Sequence, residues 1–390
     1  MKVSVVGAGV IGLATALTLA DRGHTVTIYD PNPAKGASYH AGGMLAPTAE
    51  VVYKQEPLFP LMQAAAAWYP ELIDLTLRYT DKPTGYRTDG TLVVAGDRAD
   101  STHLDQLRAY QHVHGMEVER LTSRQARVLE PALSPALAGA VAIDGDHQLQ
   151  PRAFTLALID AARNAAVSLR TQQVQDVGTL DADQVVLAAG LGAANVTGWH
   201  AGAVPLALRP VYGDILHLRV PEHQYPLLTR VIRGFVRDRA VYLIPREDRT
   251  LTIGATSRED GREAPQVLGV HQLLSDAIEL CPGIEDCDFI EATVGARPGT
   301  PDDLPYLGRV NDRVVVSTGY FRHGILLASL AARCGADLVE HTAPPITLEA
   351  CDPLRHSASL PAQQSSEIEG GTDDDHDDHS QRRGARDYCR

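Results

Sequence analysis

The sequence predicts an α/β fold in which a Rossmann-like dinucleotide-binding domain is interleaved with an α+β lobe built on an antiparallel sheet. Three observations predict this arrangement: an N-terminal βαβ unit, α/β segments that return near residues 145 and 291, and short strands separated by turn residues between 209 and 255. The 390 residues are about two to three times the length of a typical single domain, which agrees with two lobes.

The N-terminal unit has the glycine spacing of a dinucleotide-binding turn. Its order is a strand at Lys2–Val6, the turn Gly7-Ala8-Gly9-Val10-Ile11-Gly12, a helix at Val10–Arg22 and a strand at Thr25–Tyr29. Gly7 permits the tight turn, Gly9 lets a pyrophosphate reach N–H groups at the helix N-terminus, and Gly12 lets helix and strand pack closely. Asp30 ends the second strand 18 positions after Gly12, where a carboxylate can accept hydrogen bonds from an adenosine ribose.

A signal peptide is the alternative interpretation of the apolar run from Val3 to Ala20 after Lys2. A single lysine is a weak basic region, and the three glycines would break a membrane helix, whereas strand, turn and helix explain both features. The five cysteines, at positions 281, 287, 334, 351 and 389, include no CxxC pair. We therefore expect a cytoplasmic protein with idle or buried thiols, no disulfide framework and no metal site.

The formal net charge is −14, and much of it lies in the C-terminal tail, where seven acidic residues fall between Glu367 and Asp378. No cluster of Lys and Arg is present, so neither nucleic acid nor an anionic membrane is an expected partner. Residues 363–390 have almost no aliphatic side chains and are expected to be disordered. The run Asp373–His379 could bind divalent metals weakly, but we prefer a solvated acidic tail.

Apolar periodicity predicts the remaining elements. Helices are expected at 58–79, 104–114, 123–129, 152–164 and 324–340, and strands at 90–94, 138–143, 167–174, 184–187, 211–220, 230–236, 240–245, 250–255 and 314–317. The predicted domains are a discontinuous cofactor domain at 1–84, 145–208 and 291–345, a substrate domain at 85–144 and 209–290, and a C-terminal segment at 346–390.

The order of segments favours a flavin over a nicotinamide cofactor. Nicotinamide dehydrogenases often continue in further βαβ repeats, whereas here the second strand opens into the small-residue loop 36–47 and then an insertion. The segments Gly42-Gly43-Met44-Leu45-Ala46-Pro47, Val294–Asp302 and Gly319–Leu327, with Leu129-Glu130-Pro131 and Tyr242-Leu243-Ile244-Pro245, carry a family likeness. Residues 1–345 resemble the D-amino-acid-oxidase-like FAD-dependent oxidoreductases, and within them most resemble the glycine oxidases of thiamine biosynthesis.

This resemblance implies an FAD cofactor and a set of residues that hold it. They are Gly7, Gly9, Val10, Ile11, Gly12, Asp30, Pro31, Ser38, Gly42, Gly43, Met44, Leu45, Val174, Gly190, Tyr320, Phe321, Arg322, His323, Gly324, Ile325 and Leu326. No cysteine stands where covalent attachment would be expected, Cys334 being the nearest candidate, so FAD should be held non-covalently. His323 and Leu191-Gly192 depart from the family pattern, which leaves substrate preference more open than FAD binding.

The resemblance also implies three substrate-binding residues. Arg297 matches an arginine that holds the substrate carboxylate, a role that suits the rigid guanidinium fork; the alternative is a structural salt bridge. Tyr242 matches a tyrosine that reaches the same carboxylate; the alternative is an aromatic side chain that is only half-buried, packing on a strand. Arg322 matches a second arginine near substrate and flavin; the alternative is that Arg322 serves only as an ion-pair partner.

A helix predicted to start at Gly324 would point N–H groups and its positive dipole end at the flavin, stabilising the reduced form. An ordinary amphipathic helix is the alternative.

The expected reaction is oxidation of glycine or another small amino acid to the imine and 2-oxo acid, with hydrogen peroxide formed from oxygen. Flavin N5 carries the chemistry, and no side chain is predicted as a catalytic group. The imine could pass to a thiazole synthase, and a homo-oligomer is possible. Alternatives are a D-amino-acid or sarcosine oxidase or dehydrogenase of the same fold, a non-catalytic FAD-binding subunit, and a nicotinamide dehydrogenase.

Overall fold

The structure is a computed structural model that describes residues 1–200 and 206–357. The helices are α1 (Val10–Asp21), α2 (Phe59–Tyr79), α3 (Arg98–Val113), α4 (Ser123–Leu129), α5 (Pro151–Asn164), α6 (Val267–Leu280) and α7 (Ala328–Val339). The strands are β1 (Lys2–Val6), β2 (Thr25–Tyr29), β3 (Met44–Leu45), β4 (Thr91–Ala95), β5 (Glu119–Leu121), β6 (Gly139–Ile143), β7 (His147–Gln148), β8 (Ser168–Arg170), β9 (Gln184–Leu187), β10 (Arg209–Arg219), β11 (Val231–Val236), β12 (Arg239–Pro245), β13 (Thr250–Gly254), β14 (Asp288–Gly299), β15 (Tyr306–Arg309) and β16 (Val314–Thr318).

A six-stranded sheet in the order β15-β16-β9-β1-β2-β8 forms the α/β layer. All neighbouring strands are parallel except β15 and β16 at one edge. Helices α1, α5 and α7 pack against it, and α2 packs on these helices. Val3, Val5 and Val186 are buried between the layers. Burial on both faces explains why β1 and β9 are nearly continuous apolar runs.

A second sheet of eight strands runs in the order β14-β10-β13-β12-β11-β4-β6-β5. Its pairs are antiparallel except β11 with β4. Helix α6 covers one face through Leu273, Ala277 and Leu280, which pack with buried residues of β10 to β13. The predicted α/β fold with a separate, largely antiparallel sheet is therefore confirmed.

Several predicted elements differ from the structure. The closing helix begins at Ala328 and not at Gly324, and the strand predicted at 167–174 is confined to Ser168–Arg170. Helix α6 and the long strand β14 were not predicted. Strand β14 continues across the domain boundary predicted at residue 291. The division into domains stays a prediction.

Four cysteines in the described ranges are free, and three of them, Cys281, Cys334 and Cys351, are fully buried. Cys389 and the predicted disordered tail, 363–390, lie outside the described residues. No helix within residues 1–200 and 206–357 is long and apolar enough to cross a membrane.

Glu130 joins the end of α4 to the start of β11. Its carboxylate is 1% exposed and accepts hydrogen bonds from the Thr229 amide at 3.1 Å, the Thr229 hydroxyl at 2.5 Å and the Arg230 amide at 2.7 Å. A buried carboxylate that accepts from three donors is difficult to replace, because a substitute group at this buried position would have to satisfy the same donors.

Replacing Glu130 with glutamine should lower the free energy of unfolding by about 2 kcal/mol, because an NH₂ donor would face backbone N–H donors. The exposed Glu117 provides a matched control, and Glu117→Gln should change stability by less than about 0.5 kcal/mol. Urea denaturation of both variants measures the difference, and equal midpoints would contradict the structural role of Glu130.

Candidate active site

A cavity of about 1070 Å³ lies between the two sheets. One side is formed by residues that follow the carboxyl ends of β1 and β9, and the other by residues of β10, β12 and β14. Ligands of open α/β sheets bind outside the carboxyl ends of the strands. The volume slightly exceeds that of ordinary small-molecule sites, about 300–1,000 Å³, as expected for a ligand as large as a dinucleotide.

The turn after β1 is bare of side chains where a pyrophosphate would lie. Gly7 has a φ of +113°, and a Cβ there would overlap the backbone carbonyl of Ala188. The Val10 amide at the start of α1 donates to the Ser38 hydroxyl at 3.0 Å. Asp30 accepts from the Ala8 amide at 2.7 Å and from the Asn32 amide at 2.7 Å, so its carboxylate fixes this turn.

The glycine loop before β3 is held from behind by Arg246. This buried guanidinium donates to the carbonyl of Gly42, to that of Leu149 at 2.7 Å and to the Gln148 side chain at 2.9 Å. Burial lowers the pKa of Arg246 to about 10, which leaves it charged at neutral pH. Gly43, at a φ of +88°, packs against Pro151 and Leu149 so closely that a side chain would overlap them.

The segment between β16 and α7 forms tight turns that end at the helix. Gly319 and Phe321 have φ values of +75° and +47°. Leu327, with a ψ of 2°, lies outside the helical region, so α7 begins at Ala328, four residues later than predicted. The amide of Leu327 donates to the His323 carbonyl at 2.8 Å, and the Tyr69 hydroxyl donates to the Ile325 carbonyl at 3.0 Å. Tyr320, Phe321 and Gly324 thus line the cavity from a turn braced by α2.

Arg297 lies across the face of β10 because Gly213 leaves room for it. A Cβ at Gly213 would overlap the guanidinium. Arg297 Nη1 donates long hydrogen bonds to the Thr256 carbonyl at 3.3 Å and the Tyr212 carbonyl at 3.5 Å. Within the described ranges it has no carboxylate partner, so its charge is available to a ligand.

Tyr242 stands between two glycines. A Cβ at Gly42 would lie 2.8 Å from its hydroxyl, and one at Gly254 would overlap it. Burial raises the pKa of Tyr242 to about 12, while the nearby charge of Arg297 lowers it, so the hydroxyl keeps its proton at neutral pH. It can therefore donate a hydrogen bond to an anionic ligand.

Arg322 is exposed to this end of the cavity and lies over the Phe321 ring at 4.9 Å.

Two residues at this end of the cavity, Arg233 and Glu50, were missed by sequence reasoning. Arg233 is 9% exposed and donates to Glu50 at 3.0 Å, and both line the cavity. The sequence does contain a signal for Arg233, which is a charged residue inside the apolar strand β11. Because burial of an unpaired charge is unfavourable, such a residue implies a partner of opposite charge.

The structure brings most of the predicted site residues into one cavity. Those that line it are Gly7, Gly9, Val10, Ile11, Asp30, Ser38, Gly42, Gly43, Met44, Gly190, Tyr242, Arg297, Tyr320, Phe321, Arg322, Gly324 and Ile325. Those that do not line it are Gly12, Pro31, Leu45, Val174, His323 and Leu326. Gly12 instead packs against Gly7 and Val5, and His323 is 2% exposed behind the wall.

These features fit FAD. The unobstructed turn at Gly7 and Gly9 suits a pyrophosphate, Asp30 lies at the same end of the cavity, and the glycine loop and the 319–327 turn can approach an isoalloxazine ring closely. In the part of the chain that the structure covers, no group of three His, Cys, Asp or Glu side chains is arranged to hold a metal.

Adding a single methyl group at the turn should impair FAD retention. Gly7→Ala forces overlap with Ala188 at a φ that disfavours side chains, so we expect the purified variant to retain less than a tenth of the flavin of the native protein. Gly36→Ala is the matched control, because Gly36 lines the same cavity but a Cβ there meets nothing within 4 Å. Flavin absorbance relative to protein measures both, and full occupancy in Gly7→Ala would refute the role of this turn.

Comparisons with known proteins identify the family of the chain. A family model described as FAD dependent oxidoreductase matches residues 2–338. Glycine oxidase of Geobacillus kaustophilus is 34% identical over 375 residues, which covers 91% of this chain and 97% of that protein. The crystal structure of glycine oxidase from the same organism aligns with a TM-score of 0.82 at 32% identity, covering 91% of this chain and 99% of the other.

A longer relative, the bifunctional protein ThiO/ThiG of Trichormus variabilis, is 32% identical over 363 residues and covers 88% of this chain. The chain spans only 53% of that protein's length. The family match extends over most of the chain, and the family resemblance noted in the sequence is confirmed. The chain belongs to the FAD-dependent oxidoreductase family, with FAD as its cofactor.

Proposed function

We propose that the protein oxidises glycine, or another small amino acid, to the corresponding imine, with oxygen reduced to hydrogen peroxide. The observation that carries this proposal is the guanidinium of Arg297, which faces the cavity beside the Tyr242 hydroxyl and has no carboxylate partner among the described residues. The 34% identity to a glycine oxidase over nearly the whole chain supports the same substrate class.

Arg297 and Tyr242 together suit one carboxylate. A guanidinium can donate two parallel charge-assisted hydrogen bonds, and the protonated phenol can add a third. Gly213 and Gly42 leave the space that these two groups occupy, and both groups line the cavity. A substrate fixed at one end by these donors keeps its α-carbon in a defined place, which supplies the orientation that an oxidation of this bond requires.

FAD, when bound, would supply the hydride acceptor for oxidation at the α-carbon. The residues around it supply charge and shape. Arg322 and Arg297 give this end of the cavity positive charge, which favours an anionic substrate and negative charge that develops during the reaction. Gly42, Gly43, Tyr320 and Phe321 line the same cavity, where a flat ring would lie beside the substrate.

The imine has two fates, hydrolysis to the 2-oxo acid or transfer to a thiazole synthase. The name of the bifunctional relative, which joins ThiO to ThiG, supports transfer to a thiazole synthase in thiamine biosynthesis.

The principal test of the proposed function is oxygen uptake across glycine, sarcosine, and D- and L-amino acids, with peroxide measured against substrate consumed. Peroxide in equal amount to glycine consumed is expected. Turnover only with an artificial electron acceptor would instead identify a dehydrogenase.

Removing the carboxylate donor should raise the Michaelis constant. For Arg297→Ala we expect KM for glycine to rise by about 100-fold, equivalent to ~2.7 kcal/mol, because the substrate carboxylate loses a charge-assisted pair. Arg262→Ala removes an exposed guanidinium outside the cavity and should leave KM unchanged. Steady-state kinetics that fail to separate the two variants would overturn the carboxylate role.

Displacing Arg297 without removing it should have a related effect. In Gly213→Ala the added methyl overlaps the guanidinium, so we expect KM for glycine to rise at least tenfold while flavin content stays normal. Gly145→Ala is the control, since a Cβ there meets nothing within 4 Å. A native KM in Gly213→Ala would mean that Arg297 does not need its position across β10.

A further inference from the structure

Glu50 lies at the end of the cavity that holds the arginines. It lines the cavity together with Arg233, Arg297 and Arg322. Both Glu50 and Arg297 act on the Tyr242 hydroxyl, the carboxylate raising and the guanidinium lowering its pKa, so the carboxylate lies near the proposed clamp.

The other acidic residues that line the cavity have different surroundings. Asp30 holds the turn after β1, Asp276 is paired with Arg239 at 2.6 Å, and Glu263 is on the exposed surface. Glu50 is therefore the acidic group of the substrate end among the described residues.

One carboxylate oxygen of Glu50 is paired and the other is free. Arg233 donates to Oε1 at 3.0 Å. Oε2 accepts no hydrogen bond within residues 1–200 and 206–357, and its nearest cationic candidate, His323 Nδ1, is 3.8 Å away. Burial lowers the pKa of His323 to about 4, so this ring is neutral at physiological pH and does not neutralise Glu50.

A rigid turn holds Glu50 in place. The buried carboxylate of Asp146 accepts from the Thr48 amide at 3.1 Å and the Ala49 amide at 2.9 Å, immediately before Glu50. The Glu50 amide itself donates to the Ala46 carbonyl at 3.3 Å. Such anchoring is unnecessary for a surface ion pair but is what a positioned ligand contact requires.

We propose that Glu50 binds the substrate ammonium through Oε2 and takes one proton from it before oxidation. The proposal rests on the proposed function, because it assumes an amino acid held at Arg297. The N–H bond of the ammonium breaks, an O–H bond forms on Glu50, and the electron pair stays on nitrogen as the amine lone pair. That lone pair is needed because it stabilises the positive charge that develops on the α-carbon as its hydride leaves.

The charges around Glu50 agree with this role. The groups that face it are Arg233, Arg322, His323, Tyr242 and Asp146. With Arg297 they make the substrate end net positive, which favours the amino acid once it has lost a proton and become an anion. Since Arg233 already occupies Oε1, a purely structural ion pair would leave Oε2 with no function.

The isosteric variant Glu50→Gln separates proton uptake from packing. For the native holoenzyme, kcat/KM for glycine should vary little between pH 7 and 9. For Glu50→Gln it should be at least 100-fold lower at pH 7 and rise by about tenfold per pH unit, because only glycine that has already lost its ammonium proton can react. Glu50→Asp keeps a carboxylate and should restore the flat profile, whereas Glu117→Gln, which changes an exposed acid outside the cavity, should match the native enzyme.

Binding gives a readout that does not depend on turnover. Glycolate, which has a hydroxyl in place of the ammonium, should bind Glu50→Gln at least as tightly as the native holoenzyme in a flavin-absorbance titration. Equal loss of glycolate and glycine affinity, or an unchanged pH profile in Glu50→Gln, would overturn the proposal in favour of a structural ion pair. If the native enzyme oxidises no glycine at all, the proposed function fails first and the assignment fails with it.

Discussion

The buried guanidinium of Arg246 connects the end of β12 in the eight-stranded sheet to the glycine loop before β3 and to the end of β7, beside the cavity. It follows β12 directly, yet its hydrogen bonds go to Gly42, Gln148 and Leu149 on the other side. A charged group buried without partners would be strongly unfavourable, so the charge fixes where the glycine loop must lie. Tyr242, which lies on β12 four residues before Arg246, is thereby placed against that loop.

The charged residues at the substrate end of the cavity form two groups, one compensated and one not. Arg233 and Glu50 compensate each other in the wall, while Arg297 and Arg322 face the cavity without a carboxylate of their own in the described part of the chain. Positive charge that lines a cleft attracts an anionic ligand. The site is therefore complementary to a carboxylate, and the family's redox cofactor supplies the chemistry that these side chains lack.

Sequence reasoning succeeded where local pattern and function coincide. The first βαβ unit follows from apolar runs, three glycines and Asp30, and its predicted strands match the observed ones. Sequence reasoning failed where a residue is required by a contact with another residue far away in the sequence. Helix α6 contains Gly269, a poor helix former, which is required because a Cβ there would lie 2.7 Å from the carboxylate of Asp214. Strand β14 contains Gly295, where a side chain would overlap His40 from the 37–40 turn. Glu50 was missed for the same reason, since only the folded chain brings it beside Arg233.

The positions of Tyr242 and Arg297 depend on backbone that carries no side chains. Gly42, Gly213 and Gly254 make no hydrogen bond to a ligand through a side chain and contribute no charge, yet each leaves the volume that a functional group occupies. Mutational scans that truncate side chains pass over such positions, because a glycine has nothing to remove. The determinants of this cavity are best mapped by adding atoms, with alanine serving as an insertion of volume, and the same logic makes these three positions the places where divergence within the family would reshape the substrate pocket.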